Sequence, residues 1–413
     1  MFIKNSIQVF EHSFLPIGSE GFEQRHFVAL SKLNALHEYQ YFDLKHNGVV
    51  FKQFVGVIQV DNLTIEILPK IDRCEPEDKQ HKSKWRDVLL AMLKVTRKLK
   101  IQQVGQAHVS KQSIHLLDIY FEWFLSEVQL LIHQGLIKQY YKETGNVKAL
   151  KGKLEFAGHL QKNLVHKERF YTTHQVYEKD HLIHQILGQA LDIVAHLSKG
   201  SYLYSKCKTV QVDFPEVKAI KATEAIFSKV PKSRKTLPYE TALSIARLII
   251  LNYAPNISSG SEKMLALLFD MNSLWEEYVL VRLKQAAQDT GIEVYGQKSK
   301  DFWNNISIRP DIVLQKGGTA LLIIDTKWKN IDQSKPSTHD LRQMYVYNDY
   351  WKSSKSLLLY PRNEIGVLST LFDPFKSLEA GKDHHQCGLG KISVLNAEGK
   401  LDLDLGKKIL DLV

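Results

Sequence analysis

The pattern of apolar positions near the N-terminus is typical of short strands. Phe54–Val60 (FVGVIQV) and Leu63–Leu68 (LTIEIL) are runs rich in β-branched residues, and only Asp61-Asn62 lies between them. Two such runs joined by a two-residue turn predict a β-hairpin. Pro69 follows and ends the second strand, because proline cannot donate a hydrogen bond to a sheet. The first 70 residues are therefore predicted to be mainly β.

Helical spacing dominates the middle of the chain. Leu117, Phe124 and Leu131 lie seven residues apart within one apolar stripe, which predicts a long helix. The same pattern predicts three helices, over 85–99, 114–141 and 179–197. A stretch with three glycines at 145–158 returns to strand-like alternation, and 208–214 (KTVQVDF) predicts a short strand.

The last third of the chain alternates helices and apolar strands. The predicted order is helix, strand, strand, helix, strand, over 273–287, 308–314, 320–327, 340–351 and 356–360. This order is typical of a small sheet covered by helices, so we predict an α/β (α+β) fold.

Composition narrows the class of protein. The 413 residues carry 55 Lys and Arg against 45 Asp and Glu, a net charge of +10, and hold only three cysteines. The basic excess favours a polyanionic partner, and the cysteine count excludes a disulfide framework. The apolar segment 114–141 is interrupted by acidic residues, and the N-terminal residues lack the apolar run of a signal peptide. We therefore expect a cytoplasmic protein that does not enter a membrane.

The candidate chemistry lies on the two strands of the last third. Asp311 follows Pro310 on the first strand, and Asp325 and Lys327 end the second. Side chains alternate along a strand, so Asp325 and Lys327 point the same way. A turn centred on Gly317-Gly318 would place Asp311 opposite the residue before Asp325. Convergence of the two aspartates therefore requires an odd-length loop or a β-bulge.

These residue types suit metal-assisted hydrolysis of a phosphodiester. The strand that leads to Asp325 is wholly apolar, and a buried charge is costly unless it is paired or bound to a metal. Two carboxylates offer hard oxygen ligands for Mg²⁺ or Mn²⁺, and Lys327 can orient water or offset charge in the transition state. The alternative is an ordinary Asp–Lys pair, with Asp311 capping a turn.

Three further residues support a site at the same place. Gln343 and Tyr347 are four residues apart and share one face of a predicted helix. Glu276 lies on the apolar side of the helix predicted over 273–287, whereas Glu277 faces away from that side. The alternative for Glu276 is a capping box with Ser273, and the alternative for Tyr347 is a core position beside a solvated glutamine.

Together these residues resemble a known nuclease signature. Pro310-Asp311 with Asp325-Thr326-Lys327 resembles the PD-(D/E)xK motif, and Gln343 with Tyr347 is similar to the Gln-x-x-x-Tyr helix of its RecB-like branch. The resemblance implies that Asp311, Asp325 and Glu276 hold the metal, that Lys327 is catalytic, and that Gln343 and Tyr347 lie near the metal and the DNA strand.

The chain as a whole resembles the McrC family. The matching segments are Val55–Ile58, Ile65–Ile71, Gly135–Tyr141 and Leu150–Lys153, together with the nuclease motif. McrC proteins are the nuclease subunits of McrBC-type, modification-dependent restriction systems. The resemblance implies double-stranded DNA as substrate and a hexameric McrB-like AAA+ GTPase as partner.

The resemblance also implies a division of labour along the chain. Residues 1–170 are expected to form a mixed β/α module that docks on the partner, and 171–413 the nuclease domain, with its core at about 262–375. GTP is expected to be used by the partner, because the sequence holds no P-loop motif. Lys70 and Arg73, just after Pro69, are candidates for stimulating GTP hydrolysis; the alternative is a solvated basic turn.

Two other interpretations of the function stay open, and two other motifs are assigned structural positions. The chain could be a stand-alone RecB-like repair nuclease, or a non-catalytic adaptor of an NTPase ring. His181 and His184 are predicted to be hydrogen-bonded residues on a helix surface, and the 383–387 segment (DHHQC) is predicted to be an exposed loop.

Overall fold

The structure is a computed structural model, in which the chain forms several β-sheets together with helices. It describes residues 5–36, 40–60, 63–71, 78–96, 98, 116–254, 264–329, 335–363, 370–376 and 385–413. By their contacts the residues form two compact units, one of Gln112–Leu267 and one that joins Lys4–Lys111 to Leu268–Val413. No helix in the described ranges is long and apolar enough to cross a membrane.

The helices and strands are numbered here in chain order. The helices of the described residues are α1 (Gln24–Leu36), α2 (Lys79–Val95), α3 (Leu116–Gln134), α4 (Phe156–Lys162), α5 (Leu182–Leu197), α6 (Tyr202–Asp213), α7 (Glu224–Phe227), α8 (Glu240–Leu251), α9 (Met271–Ala286), α10 (Thr338–Trp351) and α11 (Leu405–Leu410). The strands of the first 150 residues are β1 (Asn5–Phe10), β2 (Phe14–Pro16), β3 (Phe42–Lys45), β4 (Gly48–Phe51), β5 (Phe54–Val60), β6 (Leu63–Leu68) and β7 (Gln139–Val147). The remaining strands are β8 (Lys153–Leu154), β9 (Phe170–Glu178), β10 (Tyr253–Ala254), β11 (Met264–Asp270), β12 (Glu293–Gly296), β13 (Lys300–Trp303), β14 (Ile306–Ile308), β15 (Ile312–Lys316), β16 (Thr319–Thr326), β17 (Lys355–Arg362), β18 (Phe372–Pro374) and β19 (Gln386–Ser393).

A six-stranded mixed sheet dominates the unit that joins Lys4–Lys111 to Leu268–Val413. Its strand order is β12-β15-β16-β17-β19-β18. β15 and β16 form an antiparallel hairpin, whereas β16, β17 and β19 run parallel. Helix α10 covers one face, where Met344 and Trp351 pack against Ile323 and Leu358. The predicted α/β class and the mixed sheet flanked by helices are confirmed.

The same unit contains the predicted N-terminal hairpin. β5 and β6 pair antiparallel, and β1 adds to β6 in parallel. Every residue of β6 is buried, and its apolar run is typical of a strand covered on both faces. The Asp61-Asn62 turn lies outside the described residues. The N-terminal strands and the six-stranded sheet thus belong to one compact unit, a division that differs from the predicted boundary at residue 170.

The unit of Gln112–Leu267 combines helices with a small antiparallel sheet in the order β7-β9-β8. Two element predictions were wrong here. Residues 139–141 begin β7 rather than ending the helix, and 208–214 lie mostly in α6 rather than in a strand. In α6, Leu203, Cys207 and Val210 recur at helical spacing and are buried, so packing outweighs the strand preference of the valines.

His181, the residue before α5, and His184 within α5 are both buried, so their predicted position on a helix surface was wrong. His184 is fully buried on the apolar side of α5, which it shares with Leu187 and Leu191. Its Nε2 lies 3.3 Å from the hydroxyl oxygen of Tyr239, and its Nδ1 lies 2.6 Å from the carbonyl oxygen of Lys179. Burial lowers the pKa of His184 to about 4, so the ring is neutral at physiological pH.

Candidate active site

The hairpin of β15 and β16 is closed by a tight glycine turn. Gly317 and Gly318 have φ angles of +55° and +82°, a region that only glycine enters without strain. The turn pairs Lys316 with Thr319. Continued without interruption, this register would place Asp311 opposite Ile324.

A β-bulge changes that register. Leu314 pairs with Leu322, but the next residue, Gln315, pairs with Ala320. One extra residue of β16 is thereby accommodated, and beyond the bulge Ile312 lies opposite Ile324. The register therefore brings Asp311 beside Asp325, and the predicted bulge is confirmed.

The two aspartates differ in their contacts. Asp311 accepts two hydrogen bonds from Thr326 on its Oδ2, from the main-chain N–H at 2.7 Å and from the hydroxyl at 2.9 Å. Asp325 is 2% exposed, at the buried end of β16. Asp311 is thus hydrogen-bonded to Thr326 on the opposite strand through Oδ2, whereas its Oδ1 accepts no hydrogen bond from the described residues.

Lys327 lies at the point where β16 leaves the sheet. Its main-chain N–H still donates to the carbonyl of Leu359 in β17, at 2.9 Å. Its Nζ lies 2.7 Å from Oδ2 of Asp325 and 4.0 Å from Oδ1 of Asp340. The predicted orientation of Lys327 on the same side as Asp325 is confirmed.

Helix α10 contributes the glutamine and the tyrosine. The side-chain amide of Gln343 donates to the hydroxyl oxygen of Tyr347 at 2.7 Å and approaches Oδ1 of Asp325 at 3.4 Å. The hydroxyl of Tyr347 donates to the carbonyl of Arg309 at 2.9 Å. Tyr347 therefore ties α10 to the residue just before Pro310, and Gln343 connects that contact to Asp325.

Glu276 reaches the site from α9. The helix is capped by Asp270, whose side chain accepts from the N–H of Ser273, so the alternative of a capping box between Ser273 and Glu276 does not hold. Oε1 of Glu276 accepts a hydrogen bond of 2.8 Å from Gln297, whose own N–H donates to the carbonyl of Asp311. Glu277 instead forms an ion pair with Lys98, as expected for a residue that faces away.

Burial and mutual repulsion shape the electrostatics of these carboxyl groups. Burial, and then the charge of Asp311, raise the pKa of Glu276 to about 7. The same two causes, in the same order, raise the pKa of Asp325 above its usual range, although Lys327 opposes them. Burial alone would lower the pKa of Lys327, but the neighbouring Asp325, Asp340 and Asp311 raise it. The cluster is rich in negative charge that one ammonium group only partly balances.

The donor set fits a hard divalent cation. Asp311 and Asp325 supply carboxylate oxygens, and Oδ2 of Asp325 has no hydrogen bond among the described residues besides its ion pair. The described ranges hold no group of three or more His, Cys, Asp or Glu side chains arranged to enclose a metal. Mg²⁺ does not require such a group, because it commonly binds one or two carboxylates and completes its shell with water and substrate phosphate.

Several residues beside the site could not be identified from any local pattern in the sequence. Trp328, next to Lys327, donates from its ring N–H to Oε1 of Glu11 at 2.7 Å, across 317 positions of the chain. The main-chain N–H of Lys70 donates to the same oxygen at 2.8 Å. Asn272 of α9 accepts from the N–H of Trp328 at 3.2 Å. The residue after Lys327 is therefore held from two directions.

The remaining sequence candidates have simpler positions. Nζ of Lys70 lies 5.3 Å from the ring centre of Phe10, and Arg73 lies outside the described residues, so their role toward a GTPase stays a prediction. Asp383 and His384 also lie outside them. His385 stacks edge-on against Tyr345, and Cys387 is buried in β19.

Comparisons with known proteins agree with this architecture. The sequence model of the family described as "McrBC 5-methylcytosine restriction system component" matches residues 49–361. The Type IV methyl-directed restriction enzyme EcoKMcrBC of Escherichia coli (strain K12) is 22% identical over 293 residues, which are 65% of this chain and 83% of that protein.

Two solved structures share the fold. One is a half-complex from a tetradecameric assembly of Thermococcus gammatolerans McrB AAA+ hexamers with bound McrC, which matches with a TM-score of 0.71 and 17% identity over 99% of this chain and 100% of that chain. The other, the McrBC complex of the same organism, matches with a TM-score of 0.51 and 17% identity over 68% of this chain and 88% of that chain. The chain belongs to the McrBC 5-methylcytosine restriction system component family, as a McrC-type subunit.

Proposed function

We propose that this chain is the metal-dependent endonuclease subunit of a two-component restriction system that cleaves methylated DNA. The observation that carries the proposal is the convergence of Asp311, Asp325 and Lys327 at the end of one hairpin, in a member of a restriction family. The basic net charge of +10 agrees with a DNA substrate.

Each residue has a role that follows from its position. Asp311 and Asp325, with Glu276 beside them, would hold Mg²⁺ or Mn²⁺. Such an ion supplies Lewis-acid polarisation of the phosphodiester and lowers the pKa of bound water. The ammonium of Lys327 can stabilise negative charge that develops on the phosphate oxygens. Gln343 and Tyr347 keep α10 in register with the hairpin and orient Asp325.

The partner assignment rests on family membership and on the relatives. The T. gammatolerans assembly contains McrB AAA+ hexamers with bound McrC. We infer that this chain likewise acts with a McrB-like GTPase, which would use GTP and which this chain would stimulate. The family match, over residues 49–361, includes β5 and β6 of the N-terminal hairpin as well as the nuclease motif, which disfavours a stand-alone repair nuclease.

The catalytic proposal is tested by charge-removing substitutions. Asp325→Asn and Lys327→Ala should each reduce cleavage of methylated plasmid by about 100-fold or more, because the first removes a charged ligand of the metal ion and the second removes the cation that stabilises the transition state. Cleavage is measured with Mg²⁺, the partner and GTP. The matched control is Asp349→Asn, which removes an exposed carboxylate from α10 that pairs with Lys352 away from the site. Cleavage by Asp325→Asn at the wild-type rate would refute the site, whereas absence of cleavage by the wild-type chain with its partner would favour the non-catalytic adaptor.

The partner proposal needs a separate measurement. The purified chain alone should cut DNA slowly even with Mg²⁺, and addition of the McrB-like partner with GTP should restore double-strand cleavage. The chain should also raise GTP turnover by the partner, and Asp325→Asn should raise it equally. Rapid GTP-independent cleavage by the isolated chain would contradict this proposal and would support the repair-nuclease alternative.

A further inference from the structure

A polar cleft of about 730 Å³ opens beside the carboxylate cluster. One wall is the part of α10 from His339 to Tyr347, and the other is the segment around β14. The lining includes His339, Arg342, Gln343, Tyr347, Arg309 and Ser307. Gln343 and Tyr347 also belong to the candidate active site, so the cleft is continuous with it.

Two arginines give the cleft positive charge. Arg309 and Arg342 are both exposed, and neither forms an ion pair within 4 Å with any residue that the structure describes. Arginine presents a planar set of donors that matches phosphate oxygens. The charge and the donors therefore fit a polyanion that runs past the carboxylates.

A two-stranded hairpin of β13 and β14 stands at one side of this cleft. Its turn residues Asn304 and Asn305 both have positive φ, 39° and 69°, as in tight hairpin turns. Around the turn the large side chains face solvent: Phe302 is 44% exposed, Trp303 66% and Ile306 53%. Phe302 also lines the cleft.

An exposed tryptophan at the tip of a hairpin needs an explanation. Clustered exposed apolar side chains mark interaction surfaces more often than chance positions. Aromatic rings stack on nucleic-acid bases and insert between base steps in the minor groove. The tip lies next to a cleft that fits phosphate, so the charges select DNA over an apolar protein surface as the occupant.

We propose that the cleft and the β13–β14 hairpin form the DNA-binding site beside the scissile phosphodiester. Arg309 and Arg342 bind phosphates of the strand that enters the active site, and Trp303 packs against bases in the adjoining groove. The proposal rests on the nuclease function proposed above and adds the surface that positions the substrate.

The test measures DNA binding by the full-length chain through the fluorescence anisotropy of a labelled duplex. Mg²⁺ is left out so that the duplex is not cut. Trp303→Ala should weaken binding by about 10-fold, since a base–aromatic contact contributes about 1–3 kcal/mol, and Trp303→Phe should recover most of the loss. Arg342→Gln should weaken binding and lower the slope of log K against log salt by about one.

Matched controls separate these effects from general loss of exposed groups. Tyr140→Ala removes an aromatic ring of similar exposure, 67%, from β7, and Arg25→Gln removes an exposed charge from α1. Both should bind DNA as the wild type does. Thermal unfolding of each variant checks that the fold is intact.

The outcomes distinguish this site from the nuclease proposal. If the wild-type chain binds no DNA, or if Trp303→Ala and Arg342→Gln bind like the wild type, the binding site is refuted while the effect of Asp325→Asn on cleavage still stands. If Trp303→Ala binds DNA normally but weakens assembly with the McrB-like partner, the hairpin is a protein-binding surface and the proposal is wrong. Wild-type cleavage by Asp325→Asn would refute the nuclease site instead.

Discussion

At the scale of single residues, a buried carboxyl group outside the carboxylate cluster, that of Glu11, accepts a hydrogen bond from Trp328. The Glu11 side chain is fully buried, and its Oε2 accepts no hydrogen bond from the described residues, although His12 lies 3.8 Å away. A buried carboxylate without a full set of donors is destabilised in its charged form. Burial, only partly opposed by the donors Lys70 and Trp328, raises the pKa of Glu11 from 4.5 to about 8.

This shift predicts a pH-dependent stability. Between about pH 4.5 and 8 the folded protein keeps the proton on Glu11 and the unfolded chain releases it, so Glu11 makes stability fall as pH rises through this window. Glu11→Gln keeps an acceptor for both donors but cannot ionise. The variant should gain stability relative to the wild type as pH rises, by up to about 1.4 kcal/mol per pH unit.

Equilibrium denaturant unfolding of both proteins at a series of pH values between about 4.5 and 8 measures this difference. These limits are the pKa of Glu11 in the unfolded chain and in the folded protein. Parallel pH profiles for wild type and Glu11→Gln would show that Glu11 is not the titrating group. Nuclease activity of Glu11→Gln should stay close to wild type, because both hydrogen bonds are kept.

At the scale of elements, helix α10 carries Gln343 and Tyr347 of the candidate site, and the residue that caps its C-terminus has an unfavourable backbone conformation. Lys352, its C-cap, has φ +54° and ψ +40°, the left-handed region that disfavours any residue with a Cβ. Its N–H donates to carbonyls of the last turn, as is common where a helix ends in this way. Its Nζ pairs with Asp349, but both side chains are exposed, so the pair contributes little.

Replacement of Lys352 by glycine should therefore stabilise the protein by about 1 kcal/mol. The control is Lys352→Ala, which also removes the ammonium but keeps the Cβ, and which should not stabilise. Denaturant unfolding at constant pH measures both differences. A gain by Lys352→Ala equal to that of Lys352→Gly would show that the ion pair, and not the backbone, is responsible.

At the scale of the whole molecule, the N-terminal strands and the six-stranded sheet that carries the candidate site share one compact unit. Helix α2 packs against α9, which carries Glu276, and also against β1 and β6. Trp85 of α2 is fully buried. The division of labour at residue 170 stays a prediction about function, but the contacts within this unit connect the two sides of that boundary.

A fragment that begins at residue 171 should consequently fail to fold cooperatively. It lacks β1, β5, β6 and α2, and it exposes the faces of α9 and Trp328 that they cover. Near-ultraviolet circular dichroism and thermal unfolding of the fragment measure this directly. A cooperative transition like that of the full chain would contradict the expectation. Docking on a partner is therefore better tested by point variants such as Lys70→Ala than by truncation.

The sequence by itself determined features that depend on neighbouring residues. Alternation places Asp325 and Lys327 on one side of a strand, and a spacing of four places Gln343 and Tyr347 on one face of a helix, so both relations could be predicted from local geometry. The Gly317-Gly318 turn, set against the positions of the aspartates, was enough to predict a bulge. The nuclease resemblance followed from the same short motifs.

Only the tertiary structure decided the contacts between distant segments. No local pattern relates Glu11 to Trp328, or Gln297 to Glu276, because a hydrogen bond between residues far apart in sequence leaves no periodic signal. Propensity was also overruled where packing was stronger: 208–214 became helical because Cys207 and Val210 are buried on one side of α6. His184 is buried for the same reason, since it lies on the face of α5 that packs against α6 and α8. Local geometry is encoded within a few residues, whereas burial depends on what the rest of the chain brings to the surface of each element.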